Sequence, residues 1–219
     1  MKKGALLYSS FVVLLASCSS GKQFTTKDDD INKVKTVAVL PVQVVFTGNL
    51  PAKITTEMAD SLAQVQGYSF QQSLHANLIR FSGGKNKIAG VGFQSADKTN
   101  GLLLKNHITP KDAYTKDPDE LAKLLQVDAV VKMSVTSNRI MSDLASMGVS
   151  TLRNILWMGS NTIPTGMSNK TADVHANCVL IHDGKDLWSA QYDRPTDWNT
   201  SVNDVVERVT TKMGKGFPY

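Results

Sequence analysis

Residues 172–181 alternate with a period of two: Val174, Ala176, Cys178 and Leu180 lie on one side of an extended chain, and Asp173, His175 and Asn177 on the other. A segment patterned this way is a strand with one buried face, because a one-residue slip would exchange its apolar and polar sides. Asp183-Gly184 supplies the left-handed backbone of a tight turn, and residues 187–192 return as the second strand of a hairpin. A sheet is therefore required, and other segments must cover it.

Residues 37–46 (Val-Ala-Val-Leu-Pro-Val-Gln-Val-Val-Phe) form the kind of β-branched run that a strand buried on both faces shows. Pro41 cannot donate to a ladder, so this strand lies at an edge, carries a bulge, or ends there. Two helical phases follow, Ile54, Met58, Leu62, Val65 and then Phe70, Leu74, Leu78, Phe81, with Gly67 at the break and Ser69-x-x-Gln72 as a capping box restarting the helix. Residues 88–93 suggest a short strand, 97–108 a short helix carrying Leu102, Leu103 and Leu104, and the next stretch a proline-punctuated loop. Pro118 opens a further helix, with Asp119 and Glu120 at the positive end of its dipole. A strand over 128–136 and a last helix near 201–215, burying Val202, Val205, Val206, Val209 and Met213, complete the reading.

The N-terminus limits where this domain resides. Lys2 and Lys3 precede an apolar stretch from residue 4 to 16, too short for a bilayer core of about 30 Å. The stretch ends Leu15-Ala16-Ser17-Cys18, which resembles the lipobox of bacterial lipoproteins. That resemblance implies cleavage between Ser17 and Cys18, with a diacylglyceryl group on the Cys18 thiol, so that residues 1–17 are a signal peptide. Ser19, where inner-membrane lipoproteins of enteric-type bacteria often carry Asp, favours an outer-membrane address facing the periplasm. Residues 18–35 are then a lipidated cysteine and a flexible tether, since residues 19–32 hold only Phe24 and Ile31 as large apolar side chains. The run Asp28-Asp29-Asp30 reads as linker charge or as a surface-export signal. Cys178, the one other cysteine, is left without a partner and is expected to be buried and inert.

Charge excludes one class of ligand. With Lys2 and Lys3 removed, 22 Lys and Arg face 19 Asp and Glu, a surplus of +3 with no basic block, so nucleic acid is not an expected partner.

The element order, together with Val37-Ala38-Val39-Leu40-Pro41, the phrase Leu121-Ala122-Lys123-Leu124-Leu125-Gln126-Val127-Asp128-Ala129-Val130-Val131 and the turn Asp183-Gly184-Lys185-Asp186-Leu187-Trp188, resembles the CsgG-like and TolB amino-terminal-domain-like envelope proteins. The resemblance implies an α/β (α+β) domain over residues 36–219, a single mixed sheet of about five strands with flanking helices, and a function in binding or assembly. An insert at about 138–169 departs from that pattern. Its Leu144, Met147, Leu152, Leu156 and Trp157 are candidate partner contacts, and its apolar residues at helical spacing suit a helix on its own domain, an oligomer or partner contact, or membrane insertion.

Catalytic and metal chemistry finds little support. His175-x-x-Cys178-x-x-x-His182 cannot converge on one ion, because on a strand His175 and Cys178 face oppositely and His182 lies about 13 Å from Cys178. Gly83-Gly84-Lys85 lacks phosphate-loop spacing, and none of His75, His107, His175 or His182 sits near a recognisable nucleophile motif. The expectation is no enzyme, no cofactor and no metal. The leading reading is an outer-membrane lipoprotein that binds or assembles other envelope proteins or itself, held to the membrane by covalent lipid. The alternatives are an oligomeric secretion-pore subunit and, less well supported, an enzyme of unknown reaction.

Overall fold

The computed structural model describes residues 23–25, 29–48, 55–84, 87–88, 90–139, 172–196 and 202–219. In chain order the elements are β1 (Gln23–Thr25), a 3-10 helix (Asp29–Lys33), β2 (Thr36–Val39), β3 (Gln43–Gly48), α1 (Thr56–Phe81), β4 (Gly92–Gln94), α2 (Ala96–Lys105), α3 (Pro110–Thr115), α4 (Pro118–Leu125), β5 (Ala129–Arg139), β6 (Ala172–His182), β7 (Lys185–Thr196) and α5 (Val202–Gly216). Ser17, Cys18, Leu144, Met147, Leu152, Leu156 and Trp157 lie outside the described residues, as does most of the 138–169 insert.

The hairpin forms as its alternation demands. Val174, Ala176, Cys178 and Leu180 are buried while Asp173, His175 and Asn177 are exposed. Asp183 and Gly184 both take positive φ, 47° and 67°, the pair of left-handed residues that a two-residue turn between twisted strands needs. Burial pushes the Cys178 thiol far above its ordinary range, so it is a packing group rather than a nucleophile.

One mixed sheet results, ordered β1-β7-β6-β5-β2-β4, with β3 also pairing β5. The described residues hold seven strands rather than about five: the 37–46 run divides into β2 and β3, and β1 is a three-residue pairing that no local pattern marks, while the short strand expected at 88–93 forms as β4. Central β5 runs antiparallel to β6 and parallel to both β2 and β3. The register explains Pro41. Val39 pairs with Val131 and Gln43 with Ser134, so three residues (40–42) oppose two (132–133), a bulge that breaks one apolar run into two strands.

Helices cover both faces. Phe70, Leu74 and Leu78 of α1, with Val205, Val209 and Met213 of α5, pack on Val37, Val39, Val131, Met133 and the buried side of the hairpin. On the reverse face, Leu103, Ala113, Leu121 and Leu125 from α2, α3 and α4 enclose Ala38, Leu40 and Val130. Residues 37–40 are thus buried from both sides, as their composition predicts.

Three elements differ from the sequence reading. Helix α1 is continuous across Gly67: the Ser69 hydroxyl donates back to Val65 O at 3.2 Å, and no new start is capped there. The loop after α2 contains α3, started by a Thr109–Asp112 capping box with Pro110 in its first turn. Within the segment expected to be tether, β1 pairs with β7, and the 3-10 helix places Ile31 in the core, where Tyr219 Oη donates to Ile31 O at 2.6 Å. Long-range partners, absent from local composition, order those residues.

Candidate functional site

The break at Pro41 creates the most distinctive surface. Leu40 N–H still donates to Val131 O at 3.0 Å, but Val42 N–H turns to Gly67 O of α1 at 3.4 Å. Only glycine permits this approach: a Cβ on Gly67 would lie 2.3 Å from Val42 O. The helix therefore touches the sheet backbone to backbone at the β2–β3 joint, and its residues 59–68 border the open side of β3.

Beyond the joint, β3 pairs with β5 alone, and β4 reaches only as far as β2, so among the described residues the outer edge of β3 has no strand beside it. That edge lines a cleft of about 810 Å³. One wall is α1, with Ala59, Asp60, Ala63, Gln64 and Tyr68; the other is the α2–α3 corner, with Leu103, Leu104, His107, Ile108, Thr109, Pro110 and Lys111. The floor is Pro41 through Phe46.

Local sequence builds the corner. Asn106 N–H and Ile108 N–H donate to carbonyls of the last turn of α2, with His107 between them at φ 55°. Thr109 Oγ1 then accepts from Asp112 N–H at 3.2 Å, and the Asp112 carboxylate accepts from Thr109 Oγ1 at 2.6 Å and from Thr109 N–H at 3.2 Å. Those hydrogen bonds from Thr109 hold the Asp112 carboxyl below the usual carboxylate range. At the inner end, Asn100 and Gln71 exchange amide hydrogen bonds at 2.9 and 3.0 Å, and Gln71 Nε2 also donates to Val39 O at 2.8 Å. The Gln71–Asn100 and Thr109–Asp112 groups are thus satisfied within the fold, and the cleft mouth combines exposed apolar side chains with the polar Asp60, Gln64, His107 and Lys111.

Exposure supports this. Val45, Tyr68 and Leu104 line the cleft with 39%, 36% and 77% of their surface open, and Val65, one helical turn from Tyr68, has 64% open. Three of the six large apolar side chains exposed among the described residues therefore line this cleft. An unpaired strand edge between two apolar walls can accept an extended peptide, with main-chain hydrogen bonds for affinity and side-chain pockets for selectivity.

The sequence-derived contacts in the 138–169 insert, and Ser17 and Cys18, cannot be placed relative to this cleft, since they lie outside the described residues. His175, Cys178 and His182 are dispersed: His175 Nδ1 is 2.7 Å from Asp193 Oδ1 on the solvent face, Cys178 is in the core, and His182 Nδ1 is 2.7 Å from Asp128 O. The cleft itself was not read from sequence. Its signal was Leu102-Leu103-Leu104: three successive helical residues point about 100° apart, so one of them must face away from the core.

No protein-family model matches the chain, and no curated protein matches it. Several solved structures are similar. The PelC dodecamer from Paraburkholderia phytofirmans is 16% identical, covering 90% of this chain and 97% of that one, at a TM-score of 0.44. Lipoprotein GNA1162 from Neisseria meningitidis is 16% identical over 81% of this chain and 94% of its own, at 0.45. The LpoB C-terminal domain from Salmonella enterica is 11% identical, with coverage of 74% and 82% and a TM-score of 0.33.

Proposed function

We propose that this chain is a lipid-anchored binding or assembly module of the bacterial cell envelope, acylated at Cys18, whose β3 edge takes an extended segment of another envelope protein. The observation that carries the reading is the edge of β3, which no strand pairs among the described residues, inside a cleft with Val45, Tyr68 and Leu104 exposed around it. Leaving a six-residue strand edge open beside apolar walls invites pairing. A partner strand would cover the edge and those side chains together. The leader and Leu15-Ala16-Ser17-Cys18 support the compartment, and the outer membrane, facing the periplasm, is the address that Ser19 favours.

Photo-crosslinking in intact cells tests it. A crosslinking residue at Val45 is expected to capture a discrete partner, whereas the same residue at exposed Lys123 on α4 captures none. Val45→Pro, which removes a main-chain donor of β3 and fixes its φ, should abolish capture from a second crosslinker placed at Leu104. Identical products from positions 45 and 123 would refute the assignment. Cys18→Ser should release the protein from membranes or leave it unprocessed, and continued incorporation of radioactive palmitate would remove the anchor from the reading.

A further inference from the structure

We infer that the β1 edge of the sheet, with the basic ends of α1 and α5 beside it, rests on anionic phospholipid headgroups of the bilayer that holds Cys18. This rests on the acyl anchor proposed above and adds to it an orientation and a lipid preference.

Chain length gives the first argument. Only residues 19–22 separate Cys18 from Gln23, so the first residue of β1 is at most about 18 Å of chain from the acylated sulfur. An edge held so close to the acyl chains stays within reach of the headgroup layer. The second argument is what that edge carries. Phe24 is 58% exposed on it, an apolar side chain of the kind that interfacial segments bury at the boundary of headgroups and acyl chains.

Charge gives the third. Gly216 at the end of α5 is so close to β1 that a Cβ there would meet the Gln23 side chain at 1.9 Å. Its exposed neighbour Lys215 has Nζ 5.9 Å from the centre of the Phe81 ring, and exposed Arg80 lies 5.3 Å from the same ring. Lys87 Nζ donates to Gly214 O at 3.1 Å. Three cations from three segments thus gather around Phe81 and the last turn of α5, and none is in a salt bridge among the described residues. On the opposite flank of β1, Asp30 is already paired with Lys33 and Lys185. Cations held within a Debye length of about 8 Å of an anionic leaflet are attracted to it, and one such patch plus acyl chains makes a two-signal anchor.

The docked orientation also places the cleft. β3 lies four strands across the sheet from β1, about 19 Å at the usual strand spacing. Arg80 stands about 18 to 32 Å along α1 from Tyr68 and Ala59, the residues that bound the helix wall of the cleft. The partner-binding edge therefore faces away from lipid.

The test uses the acylated full chain carrying Phe24→Cys or Val45→Cys, labelled with an environment-sensitive fluorophore and placed in phosphatidylcholine vesicles with or without phosphatidylglycerol. A nitroxide on the lipid headgroup serves as quencher. Quenching at position 24 is expected in phosphatidylglycerol vesicles and not at position 45, and it should fall to the position-45 level in high salt or in the Arg80→Glu/Lys215→Glu variant. Equal quenching at both positions, or quenching at 24 indifferent to phosphatidylglycerol, salt and charge reversal, overturns the inference. Flotation of the same vesicles separates the two layers: unsubstituted protein that does not float lacks the acyl anchor and ends both readings, while protein that floats without contact at 24 ends the orientation alone.

Discussion

Helix α1 has two halves of opposite character, divided at Gly67. On the C-terminal side Phe70, Leu74 and Leu78 recur every four residues and are buried. On the N-terminal side the small Ala59 and Ala63 leave space along β3, and Val65, with Tyr68 just past the glycine, keeps apolar surface in solvent. One half stabilises the domain, and the other shapes a vacant groove. Stability and recognition are thus written on a single helix, with a glycine contact marking the boundary between them.

That contrast can be broken by measurement. Leu74→Ala should lower stability by about 2–5 kcal/mol in urea unfolding, from lost burial and the cavity left behind. Gly67→Ala should cost about 1–3 kcal/mol, because its methyl would press on the carbonyl of Val42, a backbone atom that cannot swing aside. A gain in stability there, as helix propensity alone would predict, would mean that the helix does not touch the sheet at this point. Thr109→Ala removes the cap of α3 and should cost about 1 kcal/mol, with hydrogen exchange accelerated in the cleft wall and not in the buried half of α1.

A pH effect should appear on the buried half. Burial holds the His75 imidazole below its ordinary range, only partly offset by a hydrogen bond to the Gln94 backbone, and its Nε2 is buried without a partner. The unfolded chain therefore binds the proton more readily. Stability should be complete above the unfolded value of about 6.5, fall as pH drops through it, and level off below the folded pKa. Urea midpoints at pH 7.5 and 5 for the native chain and His75→Phe check this, and an equal decline in both would assign the slope elsewhere. The smallest effect on stability belongs to Val65→Ser with Tyr68→Ser, within about 0.5 kcal/mol for each site. The same pair should eliminate crosslinking from position 45; a large loss of stability would make these residues part of the core.

Much of the domain was legible because its signals are local. The hairpin showed its register through alternation and its turn through Asp183-Gly184, and α4 showed its start through Pro118 and the acidic residues after it. Pro41 was readable as a choice among edge, bulge and end, and the register of β5 selects the bulge. Misreadings arose where one residue type serves two purposes. Gly67 resembles a helix break but allows a backbone contact, and Ser69 resembles a cap but bonds within the helix. Pro110 resembles loop punctuation, but Thr109 and Asp112 around it form a helix start. The cleft was hidden for another reason: it depends on which strands, among the described residues, lie beside β3, and pairing between distant segments leaves no periodic trace.

The pairing of β1 with β7 has a mechanical consequence. It involves three residue pairs whose β1 side chains are all exposed, whereas the next fixed point, Ile31, is buried and gripped by Tyr219. Tension drawn through the N-terminal segment, as the proposed acyl anchor at Cys18 would transmit it, would therefore unzip β1 before disturbing anything deeper. Doing so pays out the six steps from Gln23 to Asp29, up to about 20 Å of slack. The domain could then shift away from its tethering point and settle back when the load is released.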